Sequence, residues 1–265
     1  MTKNQELSTE VNDDTLAILK DAYPVELGTN RILLPRLGMV SQDQVEGKGK
    51  TMKVVTEAGT FFIEKPTNEE DENGKKVWSH DELGNTIDVT ILYQRKQLRL
   101  YDEATAQYTS SPIYDNDEEV LPLFCNKAEV SRGTPAELKA QYQYTDKNGK
   151  TKSSLEDNRI LYVLYEGEPY QLNLRGTSMY AYRDYVKKVV PPSVITTLSS
   201  EARENGSIAW NQMTFSAKRK LSQEEAENVV ERITEIKDAV QAERAQYQKP
   251  QNEIIQASAE AVRNF

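Results

Sequence analysis

The chain has 265 residues, 37% of them hydrophobic and 28% charged, with a formal net charge of −9 at pH 7. That is enough apolar material for one large or two small domains. A single cysteine and a single histidine exclude an internal disulfide, the usual zinc sites, and any histidine-based catalytic pair apart from one using His80.

No stretch approaches the roughly 18 apolar residues that a bilayer span requires, and the opening MTKNQELSTEVNDD lacks the basic-then-apolar order of a secretion signal. The expectation is a cytoplasmic protein (host cytoplasm if it is viral) with no membrane contact.

In chain order, DDTLAILKDAYP predicts a short helix capped by Asp13 or Asp14, with Leu16, Leu19 and Tyr23 on one face and Pro24 as its stop. Residues 1–26 thus read as an N-terminal helical extension. From Arg31 the pattern changes to short β runs, RILLPRLGMV and then TMKVVTEAGTFFIEK, the second with a hairpin turn at EAG. Pro35 argues for an edge strand or a bulge, because it cannot donate to a ladder.

Residues 66–84 have the composition of an acidic exposed loop, with Trp78 as their only large apolar residue and His80 as a loop histidine. In IDVTILYQRKQLRLYD, the alternate residues Ile87, Val89, Ile91 and Tyr93 share one face of a long strand. The alternation slips between Gln94 and Gln97, as it would at a bulge or bend in a strongly curved barrel. Residues 102–119 read as a second acidic insert.

The next group holds VLPLFC, where Cys125 reads as a buried thiol, then ELKAQYQYTDKNGKT with a DKNGK turn. NRILYVLYEG and EPYQLNLRG follow, a hairpin closed at Gly167. TSMYAYRDYVKKVV predicts a helix with Met179, Tyr182, Val186 and Val189 on one face, Thr177 or Ser178 as cap, and Pro191 and Pro192 as the stop. After the strand SIAWNQMTFSAKRKL, residues 222–247 predict an amphipathic helix. It opens with a Ser222 to Glu225 capping box and carries a stripe of Val229, Val230, Ile233, Ile236 and Val240. The tail beyond Pro250 reads as a last helix.

Seven or eight short strands with few helices predict a mainly β protein with α additions, and among such folds an OB-like, partly open β barrel. The β-rich domain spans 27–221, with inserts at 66–84 and 102–119, and a C-terminal amphipathic helical region spans 222–265. The carboxylate clusters at Glu69 to Glu72 and Asp115 to Glu119 lack the glycine-spaced pattern of a calcium loop and read as solvated acid. No phosphate-loop, dinucleotide or nucleophile-elbow motif is present, so an enzyme is the minority reading.

Charge is partitioned. Residues 1–26, 66–84, 102–119 and 221–265 are net acidic, and the β segments between them are net basic and rich in tyrosine. Tyr93, Arg95, Lys96, Arg99 and Tyr101 interleave on one strand, Tyr162 and Tyr165 lie on another, and Tyr170 and Arg175 on a third. Single-stranded nucleic acid is held by rings that stack on unpaired bases and cations that follow its phosphates. Arg175 also precedes a predicted helix start, and Lys218, Arg219 and Lys220 follow the aromatic residues Trp210 and Phe215.

The order PRLGMVSQDQ, a long strand ending in a basic run, NLRGTSMYAYRDYVKKV and GSIAWNQMTFSAKRKLSQEEAENV, over about residues 30–245, resembles a group of bacteriophage single-stranded DNA-binding proteins. The resemblance implies an OB-type core, sequence-independent binding of single strands in replication or recombination, and no cofactor. One departure is the end of the chain: NEIIQASAEAVRNF is barely acidic, which argues against an acidic recruiting tail. The 222–247 helix instead offers acid and an apolar face to a replication or recombination protein or to a second copy of the chain. A virion structural or assembly protein is the competing expectation.

Overall fold

The computed structural model describes residues 34–46, 53–70, 76–126 and 128–240. The expected helices at 13–24 and beyond Pro250 lie outside them. The first strands are β1 (Arg36–Met39), β2 (Gln44–Glu46), β3 (Lys53–Thr56), β4 (Phe61–Glu70), β5 (Lys76–Gly84), β6 (Thr86–Asp102), β7 (Gln107–Ser110), β8 (Leu121–Cys125) and β9 (Ala128–Gly133). Helix α1 (Pro135–Gln141) precedes β10 (Gln143–Thr145), β11 (Thr151–Ser153), β12 (Glu156–Tyr165) and β13 (Glu168–Leu174). Helix α2 (Gly176–Val186) leads to β14 (Val194–Asn205), β15 (Ile208–Lys220) and α3, residues 223–240. The protein is mainly β, its sheet open rather than closed on itself. Among the described residues no helix is long and apolar enough to cross a membrane.

The chain divides into two compact units, one of Leu34–Gln94 with Asn158–Glu231, the other of Arg95–Asp157 with residues 232–240. In the first, the strand order is β5–β4–β1–β13–β12–β6, with β14 pairing both β6 and β15. Strands β1 and β13 run parallel, whereas β4 is antiparallel to both β1 and β5. Strand β1 is therefore central, and Pro35 stands just before it, where a missing N–H costs the ladder nothing. This replaces the expected edge or bulge. Gly38 is required on β1, since a Cβ there would lie 2.4 Å from the Phe62 ring.

The β12–β13 hairpin closes at Glu166 and Gly167, with φ of 50° and 85°. Two successive positive φ values suit the right-handed twist of a two-residue hairpin. The core joins Leu37, Phe61, Ile63, Ile87, Val89, Ile91, Leu161 and Leu172 to Tyr182 and Tyr185 of α2. Met179, Val186 and Val189 pack against it, as the helical spacing predicts.

Helix α2 is not capped by Thr177 or Ser178. Its N-cap is Arg175, without a side-chain cap bond. The two hydroxyls instead accept from β15, Thr177 Oγ1 from Trp210 Nε1 at 3.1 Å and Ser178 Oγ from the Met213 N–H at 3.0 Å. A partner strand outcompetes the local cap.

The second unit is a meander, β6–β7–β8–β9, with α1 over one face. Leu98, Leu121 and Leu123 meet Leu138 of α1 together with Tyr114 and Leu155. The slip at Gln94 to Gln97 falls where β6 passes from one core to the other. Ile87, Val89 and Ile91 belong to the first, Leu98 and Leu100 to the second. The break in phase marks where the odd-numbered face of one continuous 17-residue strand, buried from Ile87 to Arg95, opens, while the even-numbered face is still buried at Leu98.

Both acidic inserts carry strands. Residues 66–70 and 76–84 lie in the paired strands β4 and β5, where His80 stacks on Phe62 with ring centroids 4.6 Å apart. Residues 102–119 contain β7 and two core residues, Ile113 and Tyr114. The EAG turn exists, but it does not join a hairpin, because β3 pairs with β2 and β4 pairs with β1 and β5. Cys125 is half-buried rather than buried, its Sγ 3.4 Å from Gln107 Oε1.

The capping box of α3 forms as predicted, with the Ser222 N–H donating to Glu225 Oε2 at 2.8 Å and the Glu225 N–H to Ser222 Oγ at 3.2 Å. Of its predicted stripe, Val229, Ile233, Ile236 and Val240 are buried in the chain itself and Val230 is half-buried. Over residues 223–240 the apolar face expected to receive a partner or a second copy is therefore already covered.

Candidate nucleic-acid interface

In the first unit the predicted contact residues serve mainly packing and internal ion pairing. Tyr93 and Tyr162 are fully buried, with ring centroids 6.2 Å apart. Thr90 and Leu92 are buried as well as Ile91 and Tyr93, so both faces of β6 are covered here and neither ring can reach a base. Tyr165 and Tyr170 are half-buried, meet edge to face at 6.3 Å and pack on the core. Burial, and then the neighbouring Glu166, pushes the Tyr165 hydroxyl above its usual range. Arg175 is exposed beside the start of α2.

The basic run at the end of β15 is engaged. Lys218 Nζ donates to Asp88 Oδ2 at 2.6 Å, and Arg219 grips Glu225 through two bonds of 2.6 and 2.7 Å. Lys220, opposite Val194, is half-buried. The Arg219 bonds bring the Glu225 carboxyl down to about 2, and the Lys218 bond lowers that of Asp88. A groove of about 950 Å³ runs past these pairs, lined also by Glu224, Asn228 and Glu166. Its carboxylates offset its cations, which makes it a poor seat for a polyanion.

The second unit separates its predicted residues by how deeply each is buried. Arg95 is 1% exposed; its Nε donates to Asp115 Oδ2 at 3.3 Å and its Nη2 to the Ile113 carbonyl at 3.2 Å. Lys96 donates to Asp117 at 2.6 Å. Asp115, expected to be solvated acid, is thus a buried ion-pair partner, whereas Asp117 pairs with Lys96 and still stands in solvent as expected, and Arg95 has no path to a phosphate.

Arg99 and Tyr101 lie on the face away from Leu98 and Leu100. Register places Tyr101 against Tyr108 and Arg99 against Ser110, and Ser110 against Phe124 of β8. Directly paired residues share a face, so this side of the meander carries Arg99, Tyr101, Tyr108 and Phe124. The two tyrosine rings lie 4.7 Å apart, at 48% and 43% exposure, and the Arg99 guanidinium carbon sits 3.9 Å from the Tyr108 ring centre. Phe124 is exposed too, and Glu129 opposite it holds Arg132 through bonds of 2.8 and 2.7 Å. Exposed rings beside a guanidinium form a surface on which flat, unpaired bases can stack.

Sequence reasoning missed Tyr108 and Phe124. Tyr108 sits in a segment whose acidity masks a hairpin. Asp102 accepts from the Ala104 N–H at 2.9 Å and from Thr105 Oγ1 at 2.8 Å, a turn that the Asp-x-x-Thr spacing encodes. Phe124 is the outward residue of an alternation whose inward members are Leu121 and Leu123.

Among the described residues no cluster of His, Cys, Asp and Glu could hold a metal ion. Comparison of the chain with protein-family models, with curated proteins and with solved structures found no match.

Proposed function

We propose that this chain is a non-enzymatic, sequence-independent binder of single-stranded DNA that acts in phage DNA replication or recombination through the outer face of β6–β9. The observation that carries the reading is the exposed Tyr101–Tyr108 pair with Arg99 stacked on it. This face leaves large rings in water, a cost that stacking on bases would offset at about 1–3 kcal/mol per base. The OB-like reading of the fold belongs to the same proposal, since an OB barrel offers one face of a curved, partly open sheet to a single strand.

The test is quenching of intrinsic tyrosine fluorescence on titration with an unstructured DNA oligonucleotide, repeated at rising salt and with Tyr108→Ala. Quenching that weakens with salt, and that falls in the variant, supports the proposal. Absence of quenching at low salt rejects it, and large ordered assemblies without DNA affinity would favour a virion structural protein instead.

A further inference from the structure

A second feature of the Arg95–Asp157 unit lies apart from the stacking face. Strands β10 and β11 form a two-stranded sheet of their own, paired Gln143 to Ser153, Tyr144 to Lys152 and Thr145 to Thr151. A free hairpin of this length is marginal in water. This one is fastened at its base, where the Ser154 N–H donates to the Tyr142 carbonyl at 2.9 Å and Tyr142 packs on the Leu98 core.

At its tip the single acid is occupied by the turn. Asp146 Oδ1 accepts the backbone N–H groups of Asn148 and Lys150, both at 2.9 Å, and Oδ2 lies 2.8 Å from Lys152 Nζ. The Asp146 side chain is left only 11% exposed. Gly149, at φ 74°, completes the turn, and a Cβ added there would meet nothing within 4 Å, so the tip projects into solvent. Lys147 and Lys150 are exposed, and Tyr144 is 49% exposed on the same side as Lys152. The negative charge is thus drawn into the turn while the positive charge and one ring face outward.

We infer that the β10–β11 hairpin is a second contact for single-stranded nucleic acid, with Lys147 and Lys150 on phosphates and Tyr144 stacked on a base. The inference rests on the proposed function and extends it to a separate surface. Exposed cations and an exposed ring on one short hairpin suit the phosphates and bases of a single strand, whereas an acidic peptide gives the ring nothing to stack on.

The experiment uses the full chain, a labelled oligothymidylate and fluorescence anisotropy at several salt concentrations, for the wild type, for Lys147→Glu with Lys150→Glu, and for Tyr144→Ala. These side chains are exposed, and unchanged far-UV circular dichroism verifies that the fold survives. Each phosphate contact to a single strand contributes about 0.7 to the slope of log affinity against log salt, so the charge-reversal variant should flatten it by about 1.4. Its affinity at low salt should fall roughly tenfold or more, and Tyr144→Ala should weaken binding at an unaltered slope.

If the wild type binds but the charge reversal changes neither slope nor affinity, the hairpin inference fails and the β6–β9 reading stands. If the wild type binds no oligonucleotide, both fall. Binding of poly-glutamate as tight as that of the oligothymidylate would make the hairpin a contact for acidic protein and overturn the inference.

Discussion

Arg95 and Arg99 stand four residues apart on one strand, and the two halves of that strand use the same residue types for opposite purposes. Through Tyr93, β6 is covered on both faces, so its tyrosine fills a core, and just beyond it Arg95 is drawn inside to meet Asp115. Past Leu98 the strand belongs to a meander that packs its Leu98 side with Leu138 of α1, and on the other side Arg99 is half-buried and Tyr101 exposed, against Tyr108. The lesson is that neither type nor local pattern assigns an aromatic or a cation to binding. What covers the sheet does.

The largest test of this contrast is the arginine pair. Arg95→Leu strands the buried Asp115 carboxylate and should destabilise the protein by about 3–5 kcal/mol in chemical denaturation. Arg99→Leu should stay within about 1 kcal/mol while weakening oligonucleotide binding. Equal losses of stability would erase the distinction between the covered and the open stretch of β6.

The tyrosines give the next test. Tyr93→Ala should cost about 3–5 kcal/mol, as large-to-small core changes do, whereas Tyr108→Ala should leave the denaturation midpoint nearly unchanged. The latter should lose about 1–3 kcal/mol of DNA affinity, roughly 5- to 150-fold. A Tyr108→Ala protein that binds like the wild type would remove the stacking surface from consideration.

Two pH dependences sharpen the description of the first unit. Burial pushes the Tyr185 hydroxyl up to about 12, against a weaker opposing bond to Thr196. A pKa raised on folding gives stability that is intact below about pH 10, the unfolded value, and lost as pH climbs toward 12. Thermal melts between those limits should fall by up to about 3 kcal/mol, and Tyr185→Phe should be less sensitive to alkali, though weaker at neutral pH for want of the Thr196 bond.

The smallest effect belongs to Glu225, held at about 2 by Arg219. A lowered pKa gives stability present above the unfolded value and lost on acidification, here between about pH 4.5 and 2. Because the pair is half-exposed, about 0.5–1 kcal/mol is at stake. Glu225→Gln keeps the capping geometry but not the charge, so its deficit against the wild type should close as the pH falls through that window.

Much of the local architecture was legible. The Gly167 hairpin, the inward run of Ile87, Val89, Ile91 and Tyr93, the apolar face of α2 and the Ser222 to Glu225 box all follow from turn chemistry, alternation and helical spacing. Even the burial of Tyr93 was implicit in its phase with Ile91. Strand partners were not legible. The EAG turn read as a hairpin, yet β4 finds β1 and β5, because a turn sets the reversal of the chain while the ladder is chosen by which faces can be buried together. The candidate site was half visible: Arg99 and Tyr101 were expected, whereas Tyr108 was hidden by the acidity of its neighbours.

The linear order of residues thus determined where β6, the β12–β13 hairpin, α2 and α3 form, through period, capping and glycine placement, all of which act over a few residues. Only the tertiary structure decided which tyrosines and arginines meet water. A ring with an apolar body and a polar tip is stable on a covered or an open sheet face, and a guanidinium settles inside once a carboxylate comes to meet it. Covering and pairing partners such as α1 over Leu98 or Asp115 beside Arg95 arrive from distant parts of the chain.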